Sequence, residues 1–443
     1  MDASVERALG RLWYGDTPAQ FLWQLAELDE RFGGHPGEAA AAARVEQAFA
    51  DAGLDDVRQQ SFDFPRWTRG ETTLTVETDA GERAFDALAL PYSPPADVTG
   101  PLVDVGYGMP ETIAEAEVDD AIVVANVESP KGATRRVHRM EKAGHAADAG
   151  AAAFVFVNDK PGQLPPTGAL RFGNEASIPG IGVSKETGVW LREYAASGTA
   201  ASVTVDATTD PGESQNVRAS LGPNTDEAVL VVAHYDAHDV GEGALDNGCG
   251  MAVLLAAVRA LSGLDLDCRV EVAAVGCEEI GLLGSNALAE RLDTDGLRAV
   301  VNIDGAGRFR DLRAYTHASD DLGDVVDGVA ADADQPIGIV DTPHAYSDHW
   351  PFLRRGVPAV QLHSEPANAD GHWTRGWTHT SADTRDKVEI RNVREHAMLA
   401  TLLVRALTRA DVSVSLDTVR ERFDAVDAEP GMRAAGVWPD GWD

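Results

Sequence analysis

Short runs of apolar residues alternate along the chain with stretches whose apolar residues recur at helical spacing. One run, residues 229–233 (VLVVA), is rich in β-branched residues and is typical of a buried strand in a parallel sheet. His234, Tyr235 and Asp236 follow it, then a polar loop that contains glycine, and then an apolar stretch, residues 251–261, with helical character. The pattern predicts a strand that ends in a polar loop leading into a helix, and open α/β sheets bind ligands at such strand ends.

Histidine and carboxylate side chains collect at the ends of the predicted strands. The run CRVEVAAV is followed by Glu278 and Glu279, and the run AVVNI is followed by Asp304. Adjacent carboxylates are costly when buried as bare charges, a metal ion would offset that cost, and the imidazole of His234 is a common type of metal ligand. Asp246 has two oxygens and could bridge two ions. Simple capping of a strand and a helix is the alternative interpretation, and the recurrence at later strands disfavours it.

Changes in composition divide the chain into a discontinuous main domain and an insertion. The length of 443 residues exceeds what one core usually holds. Residues 1–70 are mainly helical in pattern, and residues 211–443 contain the strands described above. Between them, residues 71–210 combine short strands with loops rich in proline and glycine, which predicts an inserted, mainly β domain. The charged tail, residues 412–443, is predicted as a helix plus surface coil.

The chain is strongly acidic, because 72 acidic residues against 37 basic ones give a formal net charge of −35. The acidic residues are spread along the chain, and only five of the basic residues are lysine. Such an excess repels itself at low ionic strength and is screened at high salt, where the Debye length falls to about 3 Å at 1 M. We therefore expect a halophilic protein from a salt-rich environment. The sequence lacks the basic patches that bind phosphates, which disfavours a nucleic-acid partner.

The sequence predicts neither a membrane partner nor a leader segment. No stretch approaches the roughly 20 apolar residues that span a bilayer, and the start, MDASVERALGRLW, lacks a basic n-region and an apolar h-region. The three cysteines have no paired spacing, which indicates neither a disulfide framework nor a zinc site of the CxxC type. A cytoplasmic protein is the expectation, and the sequence does not predict its oligomeric state.

The inserted region resembles a known domain. The segments PLVDVG, AIVVANV, KAGHAADAGAAAFVFVND and IPGIGVS follow the order typical of the protease-associated (PA) domain, over residues 90–205. Such domains act as lids or as modules that position the substrate. A simple packing role is an equally good interpretation.

Six motifs across residues 229–388 resemble those of the zinc aminopeptidases of peptidase family M28. In chain order they are HYD, GALDNGCG, CEEIGLLGS, NIDGAG, YSDHWPF and THTSADT. Each motif alone is a weak signal, but the ordered set is specific. The resemblance implies an α/β fold with a mixed central sheet flanked by helices, interrupted by the PA-like insertion, and two Zn²⁺ ions at the carboxyl ends of the strands. Co²⁺ or Mn²⁺ would accept the same ligands.

The resemblance also implies a role for each matching residue. The implied zinc ligands are His234 and Asp304 on one ion, Glu279 and His379 on the other, and Asp246 between the two. Glu278 is implied as the general base, and Asp236 as the group that orients the ring of His234. Five other histidines are predicted to be supporting, substrate-pocket or surface groups and not ligands: His238, His344, His349, His363 and His372.

The predicted function is that of a metal-dependent exopeptidase, an aminopeptidase that releases N-terminal residues from peptides with a free amino terminus. Two alternatives remain open. One is a related zinc carboxypeptidase or deacylase, which would prefer a free carboxylate or a blocked amine. The other is a non-enzymatic binding protein on the same fold, and the intact ligand set together with Glu278 argues against it.

Overall fold

The computed structural model describes residues 3–133, 135–366 and 375–442. The chain divides into two compact units. The first unit comprises Met1–Asp63, Glu213–Gly371 and Asp383–Ala425, and the second comprises Phe64–Gly212, His372–Ala382 and Val426–Asp443. His372 lies outside the described residues. The bounds predicted for the inserted domain, residues 71–210, stay a prediction.

Strands supply the frame of both units. In chain order they are β1 (Asp55–Thr78), β2 (Gly81–Phe85), β3 (Ala87–Ala89), β4 (Ala96–Asp104), β5 (Ile122–Asn126), β6 (Ala153–Val157), β7 (Gly180–Val183), β8 (Ala200–Leu221), β9 (Ala228–His234), β10 (Arg269–Val275), β11 (Leu297–Ile303), β12 (Asp311–Tyr315), β13 (Gly338–Val340) and β14 (Ala359–Glu365).

Helices fill most of the intervals between the strands. They are α1 (Ala3–Tyr14), α2 (Thr17–Ala26), α3 (Pro36–Asp51), α4 (Pro110–Glu115), α5 (Arg139–Asp148), α6 (Lys185–Ala196), α7 (Cys249–Leu261), α8 (Leu283–Arg291), α9 (Asp320–Ala333), α10 (Trp350–Leu353), α11 (Ile390–Leu407), α12 (Leu416–Ala425) and α13 (Glu429–Ala435). Shorter 3₁₀ turns are Thr294–Gly296, Arg385–Lys387 and Asp440–Trp442.

The first unit is built on a mixed sheet with the strand order β13-β12-β14-β11-β9-β10-β8. β9 pairs in parallel with β10 and β11, and β11 pairs in parallel with β14, whereas β8 and β12 pair in the antiparallel sense with β10 and β14. In this register His234, the last residue of β9, lies opposite Val275, the last residue of β10. The loops that follow these parallel strands therefore leave the sheet at the same edge, where ligands bind in such folds.

The core of the first unit explains the sequence pattern of its central elements. β9 is buried along its whole length, which is why its sequence is a continuous apolar run rather than an alternation. α7 is buried except at Arg259, and it packs against α11. The 18-residue segment Ala244–Leu261 has a mean hydropathy of 1.4 and is 94% buried, which is the environment of a core helix. The predicted mixed sheet flanked by helices is confirmed.

Two predictions about secondary structure miss elements. Residues 1–70 contain α1, α2 and α3, as the mainly helical pattern predicts, but the end of that range belongs to β1, which runs from Asp55 for 24 residues. Phe62 and Phe64 are buried and Asp63 between them is exposed, which is the period of two that a strand produces. The tail, residues 412–443, was expected to hold one helix and coil, but it forms α12, α13 and a 3₁₀ turn.

The second unit contains strands in the order β8-β4-β5-β6-β7-β3. β4 to β7 are parallel neighbours, and β8 and β3 pair antiparallel at the two edges. Its core includes the stacked rings of Phe154 and Phe156, whose centroids lie 4.4 Å apart. In α5, Lys142 is fully buried and its Nζ donates hydrogen bonds to three backbone carbonyls, so this charged group is satisfied inside the fold.

Candidate metal centre

The end of β9 places His234 among carboxylates. Nε2 of His234 lies 3.5 Å from Oδ1 of Asp246 and 3.9 Å from Oδ1 of Asp304. The ligand atoms of His234, Glu278 and Asp304 lie within 4.8 Å of one another. The loops after β9, β10 and β11 therefore meet at one buried place that contains an imidazole and three carboxylates.

Asp236 joins two of these loops. Its Oδ1 accepts a hydrogen bond from the backbone N–H of Glu278 at 3.1 Å, and its Oδ2 accepts one from the N–H of Glu279 at 3.2 Å. Nδ1 of His234 lies 3.3 Å from Oδ1 of Asp236 and 3.2 Å from its carbonyl oxygen. Because both of these oxygens accept, Nδ1 donates to them, which leaves Nε2 as the nitrogen that faces Asp246 and Asp304.

Asp246 lies in Ala244–Gly248, a short π-helical segment between β9 and α7. The backbone angles of Asp246 and Asn247 depart from helical values there. The carboxylate of Asp383 accepts hydrogen bonds from the backbone N–H groups of Leu245, at 2.7 Å, and Asp246, at 3.0 Å. Asp383 thus fixes the backbone that presents Asp246. Asp383 is the sixth residue of the motif THTSADT, and no role was predicted for it.

Arg308 links the two carboxylates that face His234, and the sequence analysis gave it no role. Its Nη2 donates to Oδ1 of Asp246 at 2.6 Å and to Oδ1 of Asp304 at 3.2 Å. After β11 the chain turns through Gly305 and Gly307, whose φ angles of 89° and 87° favour glycine. This turn brings Arg308 back to Asp304. The two glycines of the segment NIDGAGR are the sequence feature that indicates such a turn.

Glu279 and its neighbours form the other side of the site within the first unit. Oε2 of Glu279 lies 2.9 Å from Nε2 of His238, and both side chains are buried. Arg31 donates to the carbonyl oxygens of Tyr235, at 2.7 Å, and Gly243, at 2.9 Å. Burial lowers the pKa of Arg31 to about 10. No role was predicted for Arg31, which supports the loop after β9 through these hydrogen bonds.

The electrostatics of the site favour a cation. Burial raises the pKa of Glu278 well above its usual value. Burial also opposes the charge of Asp304, but hydrogen bonding to His234 and the charge of Arg308 lower its pKa to about 2. The pKa of His234 is raised well above its usual value, because Glu278 and the other carboxylates outweigh the effect of burial. Imidazole nitrogen and carboxylate oxygen are donors that zinc binds, so the residues present fit that ion.

His379, the remaining predicted ligand, belongs to the second unit. Nη1 of Arg375 lies 2.8 Å from Nε2 of His379, and Nδ1 of His379 lies 3.2 Å from the carbonyl oxygen of Thr167. A guanidinium only donates and a carbonyl only accepts, so Nδ1 carries the proton and Nε2 carries the lone pair. The backbone N–H of Thr167 also donates to the carbonyl oxygen of His379 at 2.9 Å. The hydrogen bonds to Thr167 therefore hold the ring with Nε2 as its metal-binding nitrogen.

Replacing Arg375 with alanine is expected to tighten zinc binding about tenfold, because a hydrogen bond from a charged donor contributes about 1.5–3 kcal/mol and Arg375 competes for Nε2 of His379. Titration against a chromophoric chelator measures the zinc affinity. The exposed Arg391, which pairs with Glu389, provides a matched control as Arg391→Ala. Unchanged or weaker binding in Arg375→Ala would argue against His379 as a ligand.

A buried imidazole set among carboxylates, where parallel strands end in a mixed sheet, is the type of site found in metal-dependent hydrolases. Comparison with known proteins agrees with this class. Residues 216–404 match the model of peptidase family M28, and residues 98–191 match that of the PA domain. Residues 216–404 are therefore similar to peptidase family M28, and residues 98–191 are similar to the PA domain.

Relatives with known names extend the likeness beyond the family motifs. Aminopeptidase YwaD of Bacillus subtilis is 28% identical over 397 residues, a match that covers 86% of this chain and 82% of the relative. Leucine aminopeptidase 2 of Trichophyton rubrum is 28% identical over 356 residues, with coverage of 76% and 68%. The family predicted from the six motifs and the predicted enzyme class, a metallopeptidase hydrolase, are confirmed.

Solved structures share the fold. BSAP, a zinc aminopeptidase from Bacillus subtilis, has a TM-score of 0.71 at 26% identity and covers 88% of this chain and 94% of its own. The aminopeptidase from Aneurinibacillus sp. strain AM-1 has a TM-score of 0.66 at 26% identity, with coverage of 90% and 95%. The predicted fold class, including its PA-like insertion, is confirmed.

Proposed function

We propose that this protein is a zinc aminopeptidase that removes N-terminal residues from peptides. The observation that carries the proposal is the convergence of His234, Asp246, Asp304 and Glu278 at the carboxyl ends of β9, β10 and β11. The buried carboxyl group of Glu278 beside the other three residues favours an enzyme over a binding protein on the same fold. The names of YwaD and BSAP support the same activity.

The proposed centre would hold two zinc ions, with His234 and Asp304 as ligands of one, Glu279 and His379 as ligands of the other, and Asp246 as a ligand shared by both. The assignment of His379 rests on the motif THTSADT and on the lone pair at its Nε2. When bound, zinc acts as a Lewis acid that lowers the pKa of a water molecule and polarises a carbonyl. Co²⁺ or Mn²⁺ could serve in its place, since they accept the same donors.

Glu278 acts as the general base and acid of the reaction. Its carboxylate accepts a proton from the attacking water and later returns it to the amine of the leaving peptide. Two features suit it to this task. Burial raises its pKa, which makes the carboxylate a stronger proton acceptor. The hydrogen bond from its backbone N–H to Asp236 fixes the position from which the side chain reaches the water.

The substrate of this site is a peptide with a free amino terminus. YwaD, BSAP and leucine aminopeptidase 2 are all named as aminopeptidases, and that name supports a free amino terminus as the feature of the substrate. We therefore assign the enzyme to the exopeptidases rather than to the carboxypeptidases or deacylases.

The working environment is proposed to be a salt-rich cytoplasm. The formal net charge of −35 supports adaptation to high ionic strength, where self-repulsion is screened. It also disfavours nucleic acid as a partner. Activity and stability are thus both expected to be greater in molar KCl than in dilute buffer.

The decisive experiment compares a short peptide with a free amino terminus and its N-acetylated twin in molar KCl, before and after treatment with a chelator. We expect cleavage of the free-amine peptide only, loss of that cleavage on chelation, and its return on addition of Zn²⁺. Liberated N-terminal amino acid is the readout. Preference for the acetylated twin would instead indicate a carboxypeptidase or deacylase, and no cleavage of either peptide would favour a binding protein.

A further inference from the structure

Three histidines of the first unit form a cluster that includes none of the predicted zinc ligands. His317 follows β12, His344 lies in the irregular segment after β13, and His349 immediately precedes α10. The ring centroids of His317 and His349 lie 3.9 Å apart, those of His344 and His349 4.7 Å, and those of His317 and His344 5.3 Å. One ligand atom from each ring lies within 4.8 Å of the other two. We name this group the triple-histidine cluster.

Both ring nitrogens of His317 are buried and lack a hydrogen-bond partner among the described residues. Leaving a buried polar group unsatisfied costs about 1–3 kcal/mol, and folded proteins pair such groups with protein, water or an ion. Burial and the neighbouring rings of His349 and His344 lower the pKa of His317 well below its usual value. The neutral ring therefore has one nitrogen whose lone pair is not used in a hydrogen bond to the described residues.

The hydrogen bonds of the other two rings are compatible with metal binding. Nε2 of His349 lies 2.8 Å from the carbonyl oxygen of His344, and a carbonyl only accepts, so Nε2 carries the proton. Nδ1 of His349 therefore holds a lone pair, and its neighbour, the amide of Asn302, lies at a long 3.5 Å. His344 is half-buried, so its ring provides the side of the cluster that solvent can reach.

We propose that the triple-histidine cluster is a further metal site, which binds zinc or another transition ion that prefers imidazole. Zinc lies about 2.0–2.1 Å from histidine nitrogens, so two ligands of one ion are at most about 4.2 Å apart. Binding would draw the donors inward from their present spacing, and His344, on an irregular segment, is the ring most able to move. The cluster offers three nitrogens and no carboxylate, a donor set that suits zinc, copper or nickel rather than magnesium or calcium.

A metal ion in the cluster would act on the predicted catalytic centre through one hydrogen-bonded path. Nδ2 of Asn302, which faces His349, donates to Oγ of Ser347 at 2.7 Å. Oγ of Ser347 in turn donates to Oδ2 of Asp304 at 2.7 Å. An ion that fixes His344 and His349 would also fix Ser347 between them. The expected role is therefore structural, holding the segment that orients the carboxylate of Asp304.

The test compares the zinc content of the wild-type protein, His317→Leu and His344→Gln after equilibrium dialysis against Zn²⁺, with Mg²⁺ as a separate probe. We expect the wild type to hold one zinc ion more per chain than either variant and to retain no Mg²⁺ in the cluster. His145→Gln, a change to a partly exposed histidine outside the cluster, should match the wild type. Anomalous X-ray scattering at the zinc edge should locate the extra ion among the three rings.

Equal zinc content in the wild type and in both variants would overturn the proposal, as would an extra ion located elsewhere. His344→Gln changes a half-buried ring, so it decides the matter if His317→Leu fails to fold. Peptide hydrolysis is measured in parallel. A variant that loses one zinc ion but still cleaves the peptide separates this site from the catalytic centre, and the zinc content remains decisive even if the protein cleaves no peptide.

Discussion

Glu278→Gln keeps the zinc content of the wild type but loses most of its turnover. Glutamine has the shape of glutamate and cannot accept and return a proton, and general acid–base catalysis contributes roughly 10²–10⁴-fold. The backbone N–H of residue 278 still donates to Asp236, so the substituted side chain keeps its position. Steady-state hydrolysis of a free-amine peptide gives kcat and KM, and elemental analysis gives the zinc content.

Glu242→Gln is the matched control for this substitution. Glu242 is another acidic residue of the loop after β9, and its carboxylate pairs with Arg385 rather than with the site. Its replacement should leave turnover unchanged. A Glu278→Gln variant that works at a near-normal rate would exclude Glu278 as the base. A variant that loses zinc would mean that the substitution acts through the metal ligands.

The strand ends were predictable because their signals are local. A continuous apolar run marks β9, and the polar residues that follow a buried strand must lie at the edge of the sheet. The parallel pairing of β9 with β10 and β11 then brings His234, Glu278 and Asp304 together. One histidine and its neighbouring carboxylates could thus be grouped from the sequence before any coordinate was known.

The supporting contacts could not be predicted, because they join residues distant in sequence. Arg31 braces the carbonyls of the loop after β9 from a position about two hundred residues earlier. Asp383 fixes the backbone at Asp246 from more than a hundred residues later. Neither contact has a period or a spacing that a sequence pattern could reveal. β1 was missed for another reason, since its alternation around Phe62 and Phe64 begins directly after a long helical stretch.

The organisation of the ligands was also beyond the sequence pattern. The motif THTSADT reads as one continuous signal, yet His379 belongs to the second unit and Asp383 to the first. The carbonyl oxygen of Thr167 accepts a hydrogen bond from Nδ1 of His379, and this contact sets which ring nitrogen carries the proton. Thr167 lies in the region predicted as an insertion. A packing role and a positioning role were equally good interpretations of that region. The hydrogen bonds between Thr167 and His379 favour the positioning interpretation.

Asp246→Asn is expected to lower both the zinc content and the turnover. The side chain keeps its shape, but one anionic oxygen becomes an amide that cannot bridge two cations. Arg308 loses one of its two carboxylate partners and keeps only Asp304. The positive charge of its guanidinium is then less neutralised and repels a zinc ion at this site. Lewis-acid stabilisation contributes several kcal/mol, so turnover should fall about 10³-fold at a fixed total zinc concentration.

Zinc content, measured alongside kcat in the same preparations, separates Asp246→Asn from Glu278→Gln. The first variant should hold fewer zinc ions than the wild type and regain part of its rate when Zn²⁺ is raised. The second should hold the full number and gain nothing from added Zn²⁺. If Asp246→Asn retained all of its zinc, Asp246 would not be a bridging ligand, and its pairing with Arg308 would be the better account of its place in the site.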